Sequence, residues 1–193
     1  MDEVHFPAGA AVADIAAGIV VVVLAAGRGE RFAASGGTTH KLDALLQGKR
    51  VLDHVLDAVR ASGLAHHVVR ADPLRPGMGD SIAAGVRATA GARGWLILPG
   101  DLPLISAATL KALAQALRIH DVVVPVYRGE RGHPVGFSAV CKAELERLSG
   151  EQGAARVVRM HGPFELPVDD PGCVTDVDTL DDLARVERLL NPS

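Results

Sequence analysis

The stretch Ile19-Val20-Val21-Val22-Val23-Leu24-Ala25-Ala26-Gly27-Arg28-Gly29-Glu30-Arg31 decides how this chain is built. Ile19 to Leu24 form an unbroken apolar run, mostly β-branched, with no alternation of polar and apolar positions. Such a run belongs to a central parallel strand covered by helices on both faces. Gly27 and Gly29 then place a tight turn at the strand's carboxyl edge, where open α/β sheets bind ligands. Backbone N–H groups in such a turn suit a phosphate, and Arg28 and Arg31 add charge-assisted donors.

Outward from this loop, strand and helix patterns alternate. Apolar residues at 51, 52, 55, 56 and 59 mark one face of a helix over Val51 to Ser62, with Gly63 as its stop. A short strand near His67 to Arg70 precedes a helix that runs to about Thr89, with Asp80 or Ser81 as its expected cap. Trp95 to Leu98 is the next buried strand, closed by Pro99-Gly100-Asp101, and Ser106 is the expected cap of a helix through Leu117. Strands are expected over Asp121–Val126 and Val135–Val140, and helices near 142–148 and 152–160, the second opened by Ser149. Thr179 and Asp182 have capping-box spacing for a last helix to Leu190. This order implies one α/β domain, a Rossmann-like three-layer sandwich with a mostly parallel sheet.

Composition narrows the function classes. A chain of 193 residues, 48% apolar and 22% charged, suits a single folded domain. Aromatics at 3% leave few stacking platforms, and a net charge of -3 supplies no basic field, so no nucleic-acid partner is expected. Cys141 and Cys173 lie far apart with no CxxC, which reads as two reduced thiols. Asp2 and Glu3 stand where a signal peptide needs Lys or Arg, and Asp14 interrupts the apolar residues after Ala8. Residues 1–17 therefore read as a flexible extension ahead of one domain over 18–193, in a cytoplasmic protein with no membrane span.

Two common phosphate loops fail on spacing. A dinucleotide fingerprint needs glycine where Phe32 stands, and Gly36-Gly37 leads to Thr38-Thr39-His40-Lys41, not to the GK of a Walker loop. On residues alone the loop is either a structural turn or a phosphate site of another class. Gly77 and Gly79 ahead of a capped helix offer free N–H groups to a base edge or phosphate, or make a plain helix entry. Asp101 at the end of a strand, fixed by prolines on both sides, suits Mg²⁺; a solvated turn aspartate is the alternative. His133, beside Arg131 and before Pro134, faces a substrate or makes a structural hydrogen bond. Asp176 and Asp178, two apart on an extended segment, point the same way and can converge on one metal or substrate; Asp178 can also support the Thr179 cap.

These segments together resemble one family. LAAGRGERF followed by Lys41 resembles the nucleotide loop LAAGxGxR…K of the MobA-like nucleotidyltransferases, and especially of the molybdopterin cytidylyltransferases. Gly77-Met78-Gly79-Asp80-Ser81 is similar to their GMGxS, Gly100-Asp101-Leu102-Pro103 to GDMP, and Gly132 to Phe137 matches GHPVGF. Leu148 to Arg156 is similar to LSGDxGAR, with Glu151 for the usual aspartate, and Asp176-Val177-Asp178-Thr179 to DIDT. The resemblance runs from about residue 18 to 190. It implies the nucleotide-diphospho-sugar transferase type of fold and transfer of CMP from CTP to molybdopterin, with pyrophosphate released and Mg²⁺ as cofactor. By it, Leu24, Ala25, Ala26, Gly27, Arg28, Gly29, Gly77, Met78, Gly79 and Ser81 bind the nucleotide, while Arg31 and Lys41 hold its phosphates. Asp101 and Asp176 hold the metal, and Arg131, His133, Pro134 and Asp178 face the acceptor. Arg31, Lys41, Asp101 and His133 form the catalytic set. Ala26, where guanylyltransferase relatives carry glycine, implies CTP, and a molybdenum-dependent hydroxylase would receive the product.

The chain departs from the family between Val69 and Gly77, where a further helix and strand are normally present. It also lacks the usual prolines before Lys41 and before Val51. The other readings are GTP or another phosphorylated acceptor on the same fold, and a nucleotide- or cofactor-binding chaperone without catalysis.

Overall fold

Strand β1 (Ile19–Ala25) is flanked by a strand on each side, and its side chains feed two cores. Val21 and Val23 pack into one apolar cluster and Val20 and Val22 into the other, all of them buried. The computed structural model describes residues 18–74 and 77–191; the expected extension over 1–17 lies outside the described residues. β1 pairs in parallel with β4 (Ala65–Arg70) on one side and β5 (Gly94–Pro99) on the other. Beyond β5 come β8 (Val135–Ser138), β6 (Val122–Tyr127) and the short β7 (Glu130–Arg131), with β9 (Phe164–Pro167) pairing in parallel with β6. β8 is antiparallel to both β5 and β6, and β7 to β6, so the sheet is mixed but mostly parallel. A separate antiparallel hairpin joins β2 (Leu45–Leu46) and β3 (Lys49–Arg50).

Helices cover both faces and complete the three-layer α/β architecture. α1 (Glu30–Ala34), α2 (Val51–Ser62), α4 (Ala107–Ala116) and α7 (Leu180–Leu190) bury Phe32, Val55, Leu110 and Val186 against one face. α3 (Met78–Ala88), α5 (Lys142–Glu146) and α6 (Ala155–His161) bury Ile82, Leu145 and Val157 against the other. Gly63 ends α2 with φ 72°, and Ser106 caps α4 by accepting from Thr109 N, as their residue types predict. Thr179 and Asp182 make the full capping box at α7.

Some boundaries differ from the periodicity. α3 begins at Met78 after an extended Gly77, and neither Asp80 nor Ser81 caps it. Asp80 Oδ2 instead accepts from Gly150 N at 2.9 Å, and Ser81 Oγ donates to the Gly77 carbonyl at 3.1 Å. The strand expected over Val135–Val140 stops at Ser138, whose Oγ caps a short 3₁₀ turn. Ser149 does not open α6, because residues 149–153 run across the start of α3, where Gly79 N donates to Gly150 O. α1 and β9 follow no period strong enough to announce them. Between β4 and α3 the described residues 71–74 hold only a turn, in keeping with the shortened segment. No helix among the described residues is long and apolar enough to cross a membrane.

Asp170 ties the segment before α7 to α4. Its buried carboxylate accepts from Ser106 N at 3.0 Å, Thr109 Oγ1 at 2.6 Å and Gly172 N at 2.9 Å. Asp170→Ala should lower stability by about 2–3 kcal/mol, since hydrogen bonds to a charged group are lost and three donors are stranded. Denaturant unfolding checks this, with the midpoint falling while the slope stays constant.

Candidate active site

A cleft of about 1260 Å³ opens at the carboxyl ends of β1 and β5. The two strand ends are tied together where Gly100 N donates to Leu24 O at 3.0 Å. After β1 the chain turns through Gly27 and Gly29, the latter with φ 65°, which only glycine adopts without strain. Leu24, Ala26, Gly27, Arg28, Gly29 and Arg31 line the cleft; Ala25 does not.

Three distant segments meet on the Lys41 ammonium. Its Nζ donates to Asp101 Oδ2 at 2.6 Å and to Asp178 Oδ1 at 2.7 Å. Arg31 Nη1 lies 2.7 Å from the other oxygen of Asp178. The side chains of Lys41, Asp101 and Asp178 are only 11%, 16% and 13% exposed, so this cluster is poorly screened. Val177 explains how the segment is placed: its side chain is buried and its N–H donates to Asp101 O at 2.9 Å. Asp176 and Asp178 on either side of it both line the cleft, as their spacing predicts. Asp182, not Asp178, makes the Thr179 cap.

The electrostatics show an excess of negative charge. Burial pulls the Lys41 pKa down, but Asp101 and Asp178 outweigh it and the net shift is upward, so Lys41 stays charged. Loss of solvent, and then the charges of Asp178 and Asp101, push the Asp176 carboxyl above its usual range. Asp101 Oδ1 is buried with no hydrogen-bond partner among the described residues. Burial lowers the His133 pKa, against the pull of Asp101 and Asp176, which favours the neutral ring near pH 7. A hard divalent cation fits this donor set, because it would satisfy Asp101 Oδ1 and relieve Asp176. No group of three or more potential ligands stands close enough to hold a metal alone among the described residues. A pair of carboxylates completed by substrate oxygens is a common mode for Mg²⁺.

On the far wall, His133 N donates to Cys173 O at 2.8 Å and Gly132 N to Pro125 O at 2.8 Å. Arg131 stands at the rim, held by Glu165 Oε1 at 2.7 Å from Nε and 2.6 Å from Nη2. Arg131 and His133 line the cleft and Pro134 does not. Met78 and Ser81 also line it, whereas Gly77 and Gly79 are set back. A Cβ on either glycine would overlap the backbone of residues 149–152, so packing against that segment explains why both are glycine. Sequence reasoning passed over Arg159 on α6 and the role of Glu151, whose Oε1 lies 3.7 Å from Arg28 across the cleft mouth. It also passed over the apolar wall of Ile97, Val124, Val135 and Phe137. Glu151 carried a signal as the changed residue in the LSGEQGAAR segment, and Val135 and Phe137 as members of the GHPVGF segment.

Asp176→Asn should raise the Tm of the ligand-free protein at pH 7, on the order of 1 °C after screening. The folded pKa lies above the unfolded one, so the ionised group costs stability as pH rises through that window. The gain should vanish below about pH 4, where the unfolded carboxyl is also protonated. Thermal melts across pH check both halves.

Residues 21–164 match the profile of the MobA-like NTP transferase domain. The purine catabolism protein PucB of Bacillus subtilis is 32% identical over 120 residues, 60% of this chain and 58% of PucB, so the chain spans under two thirds of that relative. The crystal structure of Rv0371c from Mycobacterium tuberculosis H37Rv is 30% identical, with TM-score 0.69, covering 88% of this chain and 98% of that one. A complex of Rv0371c with manganese aligns with TM-score 0.69 at 26% identity, covering 88% and 97% of the two chains. A nucleotidyl transferase from Methanothermobacter aligns with TM-score 0.73 at 25% identity, covering 90% and 97%. The fold and the matched span agree: this chain belongs to the MobA-like NTP transferase family of nucleotidyltransferases.

Proposed function

We propose that the protein transfers CMP from CTP to the terminal phosphate of molybdopterin, releases pyrophosphate, and uses Mg²⁺. The observation that carries this reading is the meeting of the glycine loop, Lys41, Asp101 and Asp176 in one cleft, with Asp101 Oδ1 unpaired among the described residues. Asp101 and Asp176 would hold Mg²⁺, which supplies charge neutralisation and polarisation on a triphosphate. The manganese complex of Rv0371c supports a divalent cation in a fold of this kind.

The chain's own residues perform the rest. The loop from Leu24 to Gly29, with Met78 and Ser81, holds the nucleotide. Lys41 and Arg31 exchange their carboxylate partner Asp178 for phosphate oxygens and neutralise the leaving pyrophosphate. An oxygen of the acceptor phosphate forms a bond to the α-phosphorus, and the bond from that phosphorus to the bridging oxygen of pyrophosphate breaks. The acceptor phosphate is already ionised near neutral pH, so no strong base is required. His133, neutral and anchored through its backbone to Cys173, orients the acceptor beside Arg131. The nucleotide preference rests on Ala26, which lines the cleft where guanylyltransferase relatives carry glycine. The product would pass to a molybdenum-dependent hydroxylase in the cytoplasm.

The test is to incubate purified protein with Mg²⁺, molybdopterin and either CTP or GTP, then identify the nucleotide in the product by mass. A cytidine dinucleotide, formed at least about tenfold faster than its guanosine counterpart, is expected; tenfold corresponds to 1.4 kcal/mol. A guanosine product would overturn the base assignment. Pyrophosphate release with a sugar phosphate but not with molybdopterin would overturn the acceptor. Binding of CTP with no turnover on any acceptor would leave a carrier, not an enzyme.

A further inference from the structure

We propose that His40 is a positioning residue that sets the phosphate-binding geometry of the glycine loop. The proposal rests on the reading of that loop as a nucleotide site. His40 Nε2 lies 2.7 Å from the Gly27 carbonyl oxygen, and Leu42 N donates to His40 Nδ1 at 3.3 Å. A backbone N–H can only donate, so Nδ1 is the unprotonated acceptor and Nε2 carries the hydrogen that Gly27 O accepts. The ring also packs on the second glycine, since a Cβ on Gly29 would meet His40 Cδ2 at 3.3 Å and Nε2 at 3.4 Å. One imidazole therefore braces both glycines from the segment that carries Lys41.

Peptide planarity makes this bond directional. In a trans peptide the carbonyl of Gly27 and the N–H of Arg28 point to opposite sides. Gly27, Arg28 and Gly29 line the cleft and His40 does not, so pinning Gly27 O toward His40 turns the Arg28 N–H toward the cleft. The N–H groups of Gly27, Arg28 and Gly29 donate to no described residue. They are the donors that a phosphate would take up.

The test measures CTP, CMP and pyrophosphate binding with Mg²⁺ by calorimetry, together with kcat and KM, for wild type, His40→Ala, His40→Gln and His40→Asn. His40→Ala should weaken CTP and pyrophosphate about five- to tenfold, the loss of one net hydrogen bond, and CMP by less than about twofold. KM should rise with kcat nearly constant, because the loop holds the phosphates equally in ground and transition states. A glutamine amide reaches about as far as Nε2 and should restore binding; asparagine is too short to reach Gly27 O and should behave like alanine. Wild-type affinity in His40→Ala, equal loss of CMP and CTP, or equal rescue by asparagine and glutamine would each overturn the proposal. Wild type that binds none of the three ligands would sink the nucleotide reading as well, which separates the two failures.

Discussion

An ammonium shared between two carboxylates is the contact on which the rest of the site depends. Lys41 reaches Asp101 and Asp178 at 2.6 and 2.7 Å, and so joins the segment after α1, the turn after β5 and the segment before α7. All three groups are largely removed from solvent, and a buried charge is tolerable only when it is paired. Removing one member of such a set commonly costs about 3–5 kcal/mol. Elements outside the cleft hold their ends in place. Val177 sinks into the core between the two aspartates, the Thr179–Asp182 box fixes the start of α7, and Asp170 ties the preceding turn to α4.

The same cluster is unbalanced in a way that suits its proposed chemistry. Lys41 and Arg31 face Asp101, Asp176 and Asp178, leaving one buried oxygen of Asp101 unpaired and Asp176 with a raised pKa. Asp178 already binds both cations as a phosphate would, so little reorganisation is needed when an anion arrives. Preorganised charge of this kind is where phosphoryl-transfer enzymes obtain most of their rate.

Much of this was legible in the residues, and what was not has physical causes. Val20 to Val23 announce a strand covered on both faces because each residue feeds a core. α2 is legible because its buried face repeats with helical period and Gly63 must end it. β8 reads as a strand, but pairing direction leaves no local mark, so its antiparallel insertion between β5 and β6 was invisible. β9 is a mostly exposed strand that ends in proline, and nothing in Phe164–Pro167 alternates cleanly. In the site, Asp101, Lys41, Asp176 and Asp178 stand in family-like motifs, whereas the interactions of His40, Asp170 and Glu165 lie between segments far apart in sequence. Gly77 and Gly79 carry a glycine signal that local reasoning left between a ligand site and a helix entry; the tertiary structure explains it by the close approach of residues 149–152.

In the proposed reaction Asp101 organises a cation-dependent nucleotidyl-transfer site. The most direct measurement is pyrophosphate release from CTP with Mg²⁺ and molybdopterin in Asp101→Ala. A loss on the order of 10²–10³-fold in kcat is expected, as when a charge-stabilising group is removed from a preorganised site. Retention of wild-type pyrophosphate release in a folded Asp101→Ala protein would contradict it.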